Sequence, residues 1–142
     1  MYVADSNVVI SSLLSGGVPY RVFFLNHLVE RFVFIAPEFL WIEVERHREE
    51  LLKETRLEQK DFTNIIAFLK EEIRVIPAPQ FLDMLPKAKE MLSAHPKDSI
   101  YLALALKTDC KIMTGDKKLK NLCPDKVITP RQLLDELLPK KE

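Results

Sequence analysis

Cysteine is scarce in this chain of 142 residues: Cys110 and Cys123 are all it has. They are too few and too isolated for a disulfide framework, and neither belongs to a CxxC pair, so both are expected reduced and partly buried. The three histidines, His27, His47 and His95, show no ligand spacing, which speaks against a zinc site. Net charge is missing as well, with 21 Lys plus Arg against 21 Asp plus Glu. That balance is unusual for a protein that holds a polyanion by bulk charge. Such a partner would need local basic patches, which a cluster of acids elsewhere could hide in the sum. No apolar stretch is long enough to cross a bilayer, and the first residues lack a basic flank and a cleavage site. The expectation is a soluble cytoplasmic protein with no membrane contact. Internal repeats, low-complexity tracts and linkers are absent too.

What is present is a globular composition, 47% apolar and 30% charged, enough for one domain over residues 1–142 with a core that needs no staples. Short apolar runs alternate with helical periodicity. Strands are expected at the N-terminus up to Ala4, at 32–36, 74–76, 111–114 and 127–129, and helices at 8–14, 19–30, 37–52, 57–72, 82–94, 98–106 and 130–138. Gly16 and Gly17 close the first helix, and Pro19 opens the second. This alternation predicts an α/β fold: a three-layer α/β/α sandwich around a parallel sheet of about five strands.

Four acids sit where such a sheet would gather them. Asp5 follows the first strand and Asp116 the fourth; ligands of open α/β sheets bind outside the carboxyl ends of strands, so adjacent strands would bring both to one crevice. Asp5 could equally be a helix N-cap. Glu43 interrupts an apolar helical face formed by Leu40, Val44 and Leu51, which places it at the margin of the core; the alternative is a boundary residue paired with Lys or Arg. Asp98 opens the helix Ile100–Leu106, apolar all round and therefore buried, where an acid also favours the helix dipole by under about 1 kcal/mol. Asp83 stands before a helix on the polar side and reads as structural. Four gathered carboxylates cannot all stay ionised without cations. A hard divalent ion, Mg²⁺ or Mn²⁺, resolves this with oxygen ligands and suits phosphodiester cleavage. Asn7 and Thr114 would add neutral hydrogen bonds to the acids or to a bound water. Lys117, Lys118 and Lys120 form a dense basic patch beside Asp116 that reads either as a phosphate contact or as a solvated turn.

In their order along the chain, these motifs resemble those of the PIN-domain nucleases. Val3, Ala4, Asp5, Ser6, Asn7 matches the family's hydrophobic strand and D-x-N opening, with Ser6 where Thr is frequent. Ile42, Glu43, Val44 is similar to its helical Glu followed by an aliphatic residue. Asp98 through Leu106 resembles the acid opening an alanine-rich buried helix, and Thr114, Gly115, Asp116 the strand-ending T-x-D. The resemblance implies a metal-dependent endoribonuclease acting on single-stranded or structured RNA with Asp5, Glu43, Asp98 and Asp116 as catalytic metal ligands. It further implies a homodimer and, for members of the VapC or PilT N-terminus type, the toxin of a type II pair whose antitoxin is a separate chain. Arg46 joins the three lysines as an expected phosphate contact.

Two other readings compete. A haloacid-dehalogenase-like phosphatase also has an Asp after its first strand, but needs a proton-transferring acid two residues on, where this chain has Asn7. A binding module could keep the fold and hold RNA or a protein without cutting; four retained acids are costly to such a protein unless a metal neutralises them.

Overall fold

The computed structural model describes residues 1–93 and 96–139. Five short strands build one all-parallel sheet: β1 (Tyr2–Ala4), β2 (Phe34–Pro37), β3 (Ile73–Ile76), β4 (Lys111–Met113) and β5 (Val127–Ile128), in spatial order β3-β2-β1-β4-β5. Strand β1 is central because Val3 and Ala4 are wholly buried and tolerate neighbours on both edges. From β1 the chain winds outward through β2 to β3, then crosses back to β4 on the other side of β1. The order therefore reverses between β1 and β4, and a crevice opens beyond their carboxyl ends.

Among the described residues eight α-helices connect the strands and a ninth follows the last of them. α1 (Ser6–Ser15) ends at Gly16 in the left-handed region (φ 63°), as glycine allows without strain, and α2 (Val18–Val29) starts on Pro19. α5 (Gln59–Glu72) buries Phe62, Ile66 and Leu69 at helical spacing. α9 (Pro130–Leu137) is held by a capping box between Thr129 and Gln132 and packs on α2. α7 (Ser99–Thr108) lies across β1, β2 and β4 and against α6 (Leu85–Met91), with Tyr101 to Ala105 all buried. Helices thus cover both faces of the sheet, the three-layer arrangement expected from the alternation. No single helix among the described residues is long and apolar enough to cross a membrane.

Several boundaries differ from the expectation. The helix over 37–52 is two: α3 (Phe39–Arg46) and α4 (Arg48–Glu54), broken at His47 (φ −103°, ψ 8°), while Pro37 ends β2. Between Val44 and Leu51 the sequence has no apolar residue, so no apolar side chain spans the break. Ile42, beside Glu43, is 51% exposed; it lies about 200° around the helix from Leu40 and Val44, which set the inward face. β2 starts at Phe34 because the Asn26 side chain takes both backbone groups of Phe32, donating to its carbonyl (2.9 Å) and accepting from its N–H (2.8 Å). The helix expected over 82–94 is a 3-10 turn, Leu82–Met84, followed by α6, whose start Pro86 fixes. Within that segment Leu92 is buried and Met91 exposed; Ala94 lies outside the described residues. Asp83 is structural, ion-paired with Lys107 (2.7 Å), which holds its carboxyl below the usual range.

Candidate active site

Asp5 continues the ladder of β1, its N–H donating to Met113 O (3.2 Å), and the residue is only 2% exposed. It occupies the N-cap position of α1, yet its side chain makes no capping bond. Instead Oδ2 accepts from the Thr114 hydroxyl (2.7 Å), while Oδ1 is buried with no hydrogen-bond partner among the described residues. Burial pushes the Asp5 carboxyl up to about 6; the Thr114 bond opposes this, and the charges of Asp98 and Asp116 add to it.

The loop after β4 is tied to Asp5 by the same threonine. Thr114 Oγ1 donates to Asp5 and accepts from the Asp116 N–H (3.0 Å). Asp116 caps α8 (Lys117–Leu122), accepting from the Lys118 N–H (2.9 Å). Asn7, expected to reach an acid or a bound water, uses its carbonyl oxygen on backbone. Its Oδ1 accepts from the Gly115 N–H (3.0 Å) and so pins the β4 loop to the start of α1. A Cβ at Gly115 would stand 3.3 Å from that oxygen, closer than most such contacts, so a residue without a side chain suits the turn.

Glu43 comes from α3 and is half-buried, as its helical phase predicts. Its partner is not a Lys or Arg: the hydroxyl of Tyr101 on α7, itself 1% exposed, donates to Glu43 Oε1 (2.6 Å). Burial, then the adjacent Glu43, pushes the Tyr101 hydroxyl far above its ordinary value, so it remains a donor. Asp98 stands at the N-cap position of α7, one residue before the first turn, and makes no capping bond.

Asp5, Glu43, Asp98 and Asp116 all line one cleft of about 350 Å³, together with Ser6, Asn7 and Tyr101. The basic residues divide differently. Lys117, Lys118 and Lys120 are exposed on α8 and none lines this cleft; Arg46 is exposed on α3 and lines a neighbouring cavity. Lys97, absent from the sequence-based candidates, lines both. Tyr101 was hidden too, inside an apolar run; the available signal was that a buried tyrosine hydroxyl needs a partner.

The donor set is wholly oxygen, and the orphaned Asp5 Oδ1 supplies an acceptor with nothing to accept from, which together fit a hard divalent cation. Among the described residues no three His, Cys, Asp or Glu side chains are grouped tightly enough to hold an ion.

Compared with known families, residues 3–132 match the sequence profile described as the PIN domain. No curated protein matches the chain with significant similarity.

Proposed function

The chain belongs to the PIN-domain family, a family of nucleases, and on that premise we propose that it is a ribonuclease that hydrolyses phosphodiester bonds of RNA with a divalent ion, Mg²⁺ or Mn²⁺, held at the acid cleft. The observation that carries this reading is the convergence of Asp5, Glu43, Asp98 and Asp116, drawn from four separate elements, on one cavity at the switch point of the sheet.

Asp5, Asp98, Glu43 and Asp116 line the cleft that would hold the ion and would meet it directly or through its bound waters. When bound, it would supply Lewis-acid stabilisation of charge on the phosphoryl oxygens and an activated water. The remaining roles fall to the protein. Thr114 fixes the rotamer of Asp5 and leaves Oδ1 as the oxygen available for a ligand. Tyr101 orients Glu43 in the same way. Asn7 and Ser6 shape the loop wall, and Lys97 brings positive charge to the rim, where it would attract the substrate backbone.

The test is cleavage of an end-labelled single-stranded RNA oligonucleotide. The parent chain should cut with Mn²⁺ and stop with EDTA, and Asp116→Asn should cut about 100-fold more slowly or worse while melting as a folded protein. Cleavage by Asp116→Asn at the parent rate, with contaminating nuclease excluded, contradicts the reading.

The reading extends to protein partners. On α2, Phe24 and Leu28 share a face and are 44% and 63% exposed. Exposed apolar residues of this kind support a homodimer, for which light scattering should give twice the chain mass. As a toxin, the chain would arrest growth when expressed alone and be relieved by a separately encoded antitoxin.

A further inference from the structure

A second cavity, of about 330 Å³, opens beside the acid cleft, and Glu43 and Lys97 belong to the walls of both. Apart from the shared Glu43 carboxylate and Lys97, its lining differs from its neighbour's. Phe39, Leu85 and Ile100 give it apolar surface, while Arg46, Lys89 and Lys97 give it positive charge. The Arg46 guanidinium lies 5.9 Å from the centroid of the Phe39 ring. Ser99, on the same wall, opens the ten-residue helix α7. It is 1% exposed, and its hydroxyl has no hydrogen-bond partner among the described residues. A buried hydroxyl left unpaired costs free energy until something supplies the missing partner.

These features ask for a ligand with a flat apolar part, a negative charge and a hydrogen-bond acceptor, continuous with whatever occupies the acid cleft. We propose that this cavity seats one nucleotide of a single-stranded RNA, next to the bond cut in the acid cleft. The base packs on Phe39, the phosphate is held by Lys89 and Lys97, and the Ser99 hydroxyl donates to the nucleotide. A base can enter only when unstacked and unpaired, so the cavity selects single strands over duplex. This inference rests on the ribonuclease reading and assigns part of its substrate preference.

Binding separates the two. In EDTA, the anisotropy of a short fluorescein-labelled single-stranded RNA should report binding by the parent chain. Phe39→Ala and Lys89→Ala should each weaken it about 5-fold or more, Lys89→Ala should flatten the salt dependence, and a duplex of the same sequence should bind less tightly than the single strand. Lys60→Ala, on the exposed side of α5, should bind as the parent does. Lys89 is exposed, so its variant keeps the fold and decides the matter if Phe39→Ala does not fold. Unchanged affinity in Lys89→Ala and in any folded Phe39→Ala, an equally tight duplex, or no RNA bound by the parent overturns the proposal. If the variants lose affinity but the parent cuts nothing with Mn²⁺, the nucleotide seat stands and the nuclease reading falls. If Asp116→Asn abolishes cutting while Phe39→Ala and Lys89→Ala bind as the parent, the reverse holds.

Discussion

Asp5 Oδ1 is a buried acceptor without a donor among the described residues, and a carboxyl so placed opposes folding whenever it is ionised. Its folded value of about 6 lies above the ordinary 3.8. Between those values the folded chain therefore holds more protons than the unfolded one. The contribution of Asp5 to stability then falls as pH rises through that window, reaching a cost of about 3 kcal/mol above it. Asp5→Asn should accordingly raise the melting temperature in EDTA at pH 7.5 by roughly 3 to 8 °C while abolishing cleavage; a lower melting temperature contradicts this account of Asp5. Tyr101→Phe removes the donor to Glu43 together with the hydroxyl's interaction with Ser6, and should cost about 1 to 3 kcal/mol in urea melts together with a fall in kcat. The positions of Asp5 and Asp116 were legible because strands ending in an acid announce themselves locally. The bond from Tyr101 to Glu43 was not, since it joins residues 58 apart in sequence and no local pattern encodes it. Asn7 was seen as a polar residue beside an acid, but its bond to the Gly115 backbone depends on β1 and β4 being neighbours.

At the scale of elements, the strongly periodic segments were the readable ones. α5 has Phe62, Ile66 and Leu69 on one side, and α9 carries its capping box in the order Thr129, Pro130, Gln132. The break at His47 escaped because helical spacing persists on both sides of it. The late start of β2 escaped because the Asn26 side chain imitates a strand partner for Phe32. Two substitutions test these elements separately. Thr129→Ala should cost about 1 kcal/mol by uncapping α9, read from denaturant midpoints at constant slope. Gly16→Ala should cost about 1 to 2 kcal/mol although a Cβ there meets nothing within 4 Å, so the loss is backbone strain alone. If Gly16→Ala is neutral, the left-handed turn between α1 and α2 is not as described.

For the molecule as a whole, equal numbers of acids and bases conceal an uneven distribution: four carboxylates face one cleft, while Arg46, Lys89 and Lys97 line the cavity beside it. An ion entering that cleft would compete with the proton on Asp5. Mn²⁺ should therefore raise the melting temperature more at pH 7.5 than at pH 5, where Asp5 is largely protonated; an equal shift at both contradicts ligation by Asp5. The most direct measurement of the central claim is calorimetric titration of Mn²⁺ into the parent chain and into Asp5→Asn, each shown to be folded. The parent should bind the ion and the variant should bind it at least about 10-fold more weakly; equal affinities, or no heat from the parent, would contradict the claim.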